Sequence, residues 1–399
     1  MKQRRGYRQG FLTLFLLGIT SSILYSAEYS LYGDGTLYSS AGGSAKDSWA
    51  GLEVDADHTI LFDWGEARFR HSLDLALPMD GGSPEAGENI RHTILQASIL
   101  YLPLPDISFT FGRHQLGWGM SYAFFPADAL HPLRSPQGDV PGFDGVSSVW
   151  TITPDWSITG AVRIDEAVEA AEGEPWWEEL RYAISLSGFF GGFELLLSQV
   201  YKANDVFRPG AGLSFQAAGF VVTAEGAADL LCDEAAYTPL GLEAPEEWQP
   251  AWKGAVGIEK SFYTDRTTSS FLAEYFYDGR GLGESDRDSI IQLIQADPMT
   301  FGGMNGEGES LSINLARHYL FVMASVDYDG IITTEHSAYI NLEEPSAILS
   351  HTLSWSNGNG LKLSATGGWI AKGEGRNEAG VLALLGREWS ARLGASIFF

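Results

Sequence analysis

The side chains of this chain that could take part in bond-making do not gather. Its eight histidines stand at positions 58, 71, 92, 114, 131, 318, 336 and 351. No Gly-x-Ser-x-Gly turn or His-Glu-x-x-His helix accompanies them, so neither a serine nucleophile nor a zinc-bound water has a local frame. Acidic residues do cluster, above all as Asp165, Glu166, Glu169, Glu172, Glu174, Glu178 and Glu179. That run lacks the regular ligand spacing and turn glycine of a calcium loop and reads as solvated surface. Enzymatic activity, a metal site and a cofactor are therefore not expected. One stretch, Gly112 to Gly145, combines charge with rigidity. Arg113, His114, Asp128, Arg134 and Asp144 are set among Gly117 and Gly119, which permit sharp turns, and Pro126, Pro132, Pro136 and Pro141, which fix φ. Its aromatic residues require burial. The chemistry on offer is electrostatic: fixed groups of both signs that line and constrict a passage, or that tie a loop to a wall.

The elements that must position this loop are strands. In Trp389 to Phe399 one parity holds Trp389, Ala391, Leu393, Ala395, Ile397 and Phe399, and the other holds Ser390, Arg392, Gly394 and Ser396, a strand with one apolar and one polar face. Residues 48–57 alternate Ala50, Leu52, Val54 and Ala56 with Glu53, Asp55 and Asp57. Residues 66–77 behave alike, with His71 interrupting the apolar face. Similar runs lie near 29–39, 91–101, 106–114, 145–153, 156–165, 180–188, 192–201, 210–218, 219–227, 252–262, 269–278, 309–318, 320–329, 346–356, 360–371 and 378–386. These make about nineteen, whereas a membrane barrel with both termini on one side requires an even number. Ile331 to Asn341 is the best further candidate. The expectation is an all-β, closed, antiparallel transmembrane barrel of about 16 to 20 strands, with 18 as the central value. A sandwich would turn polar faces outward, whereas these strands each need a home for an apolar face, and only closure in lipid satisfies every edge.

The amino-terminal segment accords with export. Lys2, Arg4, Arg5 and Arg8 precede the apolar run Phe11 to Ile19, and small residues follow at Ser21, Ser22, Ser26 and Ala27, the pattern of a signal peptide over residues 1–27. Cleavage after Ala27 is preferred to cleavage after Ser22. Residues 28–399 then form one barrel domain, because no linker-like boundary or strong internal repeat divides them. The only cysteine, Cys232, excludes an internal disulfide. Losing the signal removes four positive charges and no acidic ones, which takes the formal charge from −26 to −30 and makes nucleic acid an unsuitable partner. Loops sort into short ones, Gly188 to Gly192 and Ser356 to Gly360, expected in the periplasm, and long ones at 115–144, 166–179, 228–251 and 279–308, expected outside the cell. Ser285 to Gln295 reads as a short amphipathic helix on the barrel mouth.

Two stretches carry a family resemblance. The alternating last strand with its final Phe399 resembles the closing strand of bacterial outer-membrane β-barrels, which implies that Phe399 is an assembly signal read by the barrel-insertion machinery. Gly112, Arg113, then Trp118 and Gly119, followed by Phe124, Pro126, Asp128 and Pro132, and then Pro141, Gly142, Asp144 and Gly145, resemble a loop pattern of porin-like barrels of diderm bacteria, with His114 where a Gln is commoner. This resemblance covers about 35 residues and implies a cell outer-membrane location, contact with outer-membrane lipid and passage of small hydrophilic solutes. The leading reading is a porin-like diffusion channel, with a wet interior that mixes Arg68, Arg70, Arg163, Arg181, Lys253 and Arg392 with Glu53, Asp55, Glu66, Asp74, Glu259 and Glu274. The alternative is a surface-exposed adhesin or structural barrel. A homotrimer is a candidate assembly that the sequence leaves open.

Overall fold

A computed structural model describes residues 28–42, 49–78, 90–128, 142–164, 177, 180–203, 206–232, 250–279, 281, 316–343, 346–358, 360–371 and 389–398. The signal segment 1–27, Arg134, Phe399, the acidic run at 165–179 apart from residue 177, and the expected helix at 285–295 lie outside the described residues.

Among the described residues the regular structure is strand throughout. The segments are β1 (Glu28–Gly42), β2 (Trp49–Phe62), β3 (Gly65–Pro78), β4 (Ile90–Leu104), β5 (Ile107–His114), β6 (Phe143–Thr153), β7 (Trp156–Arg163), β8 (Arg181–Phe190), β9 (Phe193–Lys202) and β10 (Val206–Ala217). They continue with β11 (Phe220–Asp229), β12 (Leu231–Cys232), β13 (Ala251–Tyr263), β14 (Thr267–Asp278), β15 (His318–Tyr328), β16 (Ile332–Asn341), β17 (Ser346–Ser356), β18 (Leu361–Ala371) and β19 (Trp389–Phe398). The two-residue β12 continues β11 after Leu230, since both pair with β10. The candidate at 331–341 is a strand. Residues 309–315 of the run near 309–318, and the run near 378–386, lie outside the described residues, and the strands flanking each of them pair directly, β14 with β15 and β18 with β19.

With β11 and β12 taken as one strand, each strand pairs antiparallel with its neighbours in the chain, and β1 pairs both with β2 and, from Asp34↔Phe398 to Gly42↔Ser390, with β19. The succession of pairings therefore returns to its first strand. No helix among the described residues is long and apolar enough to cross a membrane, a statement that leaves crossing by strands open.

Register divides the sheet into two faces. Leu353, Ile184, Leu197, Val256, Phe271 and Leu393 lie on one of them, each 44 to 61% exposed. The neighbouring positions Ser354, Ser185, Ser198 and Leu272 are buried on the other. Connections also sort by end. At one end lie tight turns, such as Gly191–Gly192 and Ala218–Gly219, where both residues take positive φ and so match the twist of a two-residue hairpin. Exposed aromatics gather near these turns: Trp64 stacks on Phe62 at 4.7 Å, and Phe189, Phe190, Phe193, Phe262 and Tyr263 lie close by in sequence, the arrangement of an interfacial girdle. The chain between β5 and β6 departs from the opposite end.

Candidate functional site

The site is built on residues 115–128. β5 delivers the chain to His114, whose parity is that of Thr110 and Gly112, the more polar face. The imidazole is buried, its Nδ1 lies 2.9 Å from the Gly112 carbonyl and its Nε2 lies 2.8 Å from Ser147 Oγ. A carbonyl can only accept, so Nδ1 carries a hydrogen. Arg113 takes the opposite face with Phe111. The register of β5 with β6 runs unbroken from Ile107 to His114 and sets Arg113 across from Asp144, which keeps it on the face of Phe111 and away from His114. Arg113 donates to both carboxylate oxygens of Asp144, at 2.8 and 2.7 Å, and both side chains are more than one-third exposed. The structure thus separates the expected group of residues: Arg113 and Asp144 clasp β5 to β6, while His114 and Asp128 are buried on the other side.

The loop then runs along the polar face of the sheet. Trp118 packs with Phe143, Ala161, Ala183 and Val200 over β6 to β9. Farther on, Phe124 enters an aromatic pocket on β14 to β16, where it stacks on Phe276 at 4.4 Å and 6° and meets Tyr319 and Tyr339. These two apolar anchors fix the loop at either end of its path, because each aromatic side chain gains its full burial only when docked.

Two wall carboxylates hold the backbone between and around them. Glu225 of β11 accepts the amides of Met120 at 2.6 Å, Ser121 at 3.1 Å and Ala127 at 2.7 Å. Glu274 of β14 accepts those of Tyr122 at 2.7 Å, Ala123 at 3.1 Å and Phe124 at 2.8 Å. A strand-free segment buried against a wall must find acceptors for its amides, and here two side chains satisfy six of them. Gly119, at φ 119°, makes the approach possible: a Cβ there would lie 2.9 Å from the Phe125 ring and 3.1 Å from a Glu225 oxygen.

On the loop's exposed side, the Tyr122 hydroxyl donates to Glu259. Burial first, and that bond second, hold the phenol well above the usual tyrosine range, so it stays a donor throughout ordinary pH. Other charges on this face are paired across strands: Arg208 with Asp229, Lys253 with Asp278 at 3.4 Å, and Arg68 with Asp57 at 2.6 Å. Sequence reasoning placed Glu259 and Glu274 on the polar face but missed Glu225 and the attachment itself. An isolated carboxylate between Ala224 and Gly226 was the available signal.

Other histidines form local groups on the apolar face. His58, His71 and His92 neighbour one another, with 3.2 Å between His71 and His92 nitrogens, and His336 stacks on His351 at 4.3 Å. His131 lies outside the described residues. Among the described residues no group of three or more His, Cys, Asp or Glu side chains is arranged to hold a metal ion.

No protein-family model and no curated protein sequence matches the chain. Solved structures do match its fold. OccAB1 of Acinetobacter baumannii aligns at 10% identity and a TM-score of 0.58, covering 94% of this chain and 96% of its own. OccK8 (OprE) of Pseudomonas aeruginosa aligns at 11% identity and a TM-score of 0.54, covering 94% and 98%. The outer membrane protein opdK of Pseudomonas aeruginosa aligns at 9% identity and a TM-score of 0.53, covering 93% and 99%. The chain shares with these proteins a fold that extends over nearly the whole length of each.

Proposed function

We propose that this chain is a diffusion channel of the outer membrane: a closed barrel of 18 membrane strands, counting β11 and β12 as one, with its tight turns in the periplasm and its long loops outside. The observation that carries the reading is the segment 115–128, docked on the polar face by Glu225, Glu274, Trp118 and Phe124. A barrel of this strand number has an interior too wide for its own side chains to fill, and a docked segment reduces it to a smaller, defined passage for small hydrophilic solutes. In this reading His114 and Asp128 belong to the loop's fixed framework, Tyr122 and Glu259 border the opening, and Arg113 with Asp144 secures the point where the loop leaves the wall. The likeness to opdK, an outer membrane protein, supports the location, and lipid against the apolar face is the corresponding partner.

Reconstitution of the purified chain into a planar lipid bilayer tests the proposal. Discrete conductance steps in potassium chloride are expected. A correctly inserted barrel that passes no ions would instead favour a surface-exposed structural or adhesive protein.

A further inference from the structure

The apolar face of the sheet is not uniform near the end where the long loops depart. On β5 to β9 the register sets Phe109, Ser148, Gly160, Ile184 and Gln199 in one row. One step nearer the loop end, Tyr182 of β8 faces Tyr201 of β9. Ser148 and Gly160 are small between Phe109 and Ile184, and the wall sinks there into a recess of about 440 Å³. Its floor has room to spare, since a Cβ on Gly160 would meet only Ser148 Oγ within 4 Å, at 3.4 Å. Two polar side chains border the recess, Ser148 and the exposed Gln199. Among the described residues neither makes a side-chain hydrogen bond.

Tyrosine settles where hydrocarbon meets headgroups, its ring buried and its hydroxyl wet. Tyr182 and Tyr201 mark that level, and Ser148 and Gln199 lie about 7 Å farther along the strands, inside it, where a plain hydrocarbon chain satisfies no polar group. This is the depth at which acyl chains join their headgroups. An ester linkage there offers acceptors only. The Gln199 amide both donates and accepts, so it is satisfied at both atoms by a linkage that does the same, an amide. The acyl chain attached to that linkage then descends over Gly160, between Phe109 and Ile184. Resting on the membrane orientation proposed above, we infer that this recess holds one lipid of the outer leaflet, an amphiphile with an amide-linked acyl chain, in preference to an ester-linked one.

Native mass spectrometry of the full chain released from detergent micelles tests this with two lipids of one headgroup and equal acyl length, N-palmitoyl sphingomyelin and dipalmitoylphosphatidylcholine. One sphingomyelin per chain should be retained, about fivefold more than the ester lipid, the factor set by one net hydrogen bond of about 1 kcal/mol. Gly160→Ile fills the recess and should abolish retention of both lipids, whereas Ala273→Ile, on the apolar face between Phe271 and Tyr275, should leave it unchanged. Gln199→Leu should keep the seat for the chain and lose the preference for the amide. Salt conductance in planar bilayers should match the natural chain for all three variants, which verifies assembly. Equal retention of the two lipids, retention that survives Gly160→Ile, a preference that survives Gln199→Leu, or a second barrel joined at this face in place of lipid overturns the inference and spares the channel reading. An inserted barrel that retains the amide lipid as described yet passes no ions supports the inference and overturns the channel reading alone.

Discussion

Replacing Glu274 by alanine removes the acceptor of three loop amides, and the structure sets the scale of the loss. Ala123 and Phe124 are 2% and 5% exposed, so their amides cannot turn to water, and each unmet donor costs about 1 to 3 kcal/mol. Tyr122 is 41% exposed, and its amide is rehydrated at little cost. Docking should thus weaken by about 2 to 6 kcal/mol, comparable with the roughly 3 to 5 kcal/mol that burial of the Phe124 ring supplies. The loop then exchanges between docked and released positions. Glu274→Gln should be milder, because its remaining carbonyl oxygen can serve Ala123 and Phe124, which share Oε1, and only the bond from Tyr122 to Oε2 is lost. Single-channel recording should show larger, noisier steps for Glu274→Ala and near-natural steps for Glu274→Gln, with heat-dependent gel mobility verifying that both barrels assemble. Unchanged steps in an assembled Glu274→Ala barrel, or equal effects of the two substitutions, would refute the reasoning that amide satisfaction holds the loop.

Four further outcomes follow from the same geometry. Phe124→Ala should empty the pocket of Phe276, Tyr319 and Tyr339, weaken docking by about 3 to 5 kcal/mol and raise conductance noise while Phe276→Leu does so less. Gly119→Ala meets both a positive φ and the Phe125 and Glu225 contacts, so protease access to the loop should increase without loss of the barrel. Tyr122→Phe leaves the Glu259 carboxylate without its phenol donor, and reversal potentials in a salt gradient should move toward cation preference. On adjacent residues of β17, Leu353→Arg should cost about 2 to 4 kcal/mol if it lies near the membrane midplane, whereas Thr352→Arg on the opposite face should be mild; equal costs in urea unfolding from lipid would undo the face assignment.

Much of the wall was legible from residue order because alternation is local. A strand with Leu349, His351, Leu353 and Trp355 on one side and Ser350, Thr352 and Ser354 on the other declares its two faces whatever its neighbours are. Even Ile331 to Asn341, recognised only as a candidate, carries that alternation. Turn residues told the same local story, since Gly191 and Gly192 permit positive φ without steric cost. Residues 115–128 were recognisable as rigid from their Gly, Pro and aromatic content, but not where they would dock. Arg113 and Asp144 were expected among the groups that line a passage, but unbroken register keeps Arg113 beside Phe111, on the apolar face, across from Asp144. The attachment itself left no pattern to find, because its donors are backbone amides, which every residue but proline possesses, and its acceptors stand 98 to 152 residues farther along the chain. Only the curling of the whole sheet brings β11 and β14 opposite the end of β5, so the partners of a loop amide are fixed by tertiary geometry and not by any residue near it.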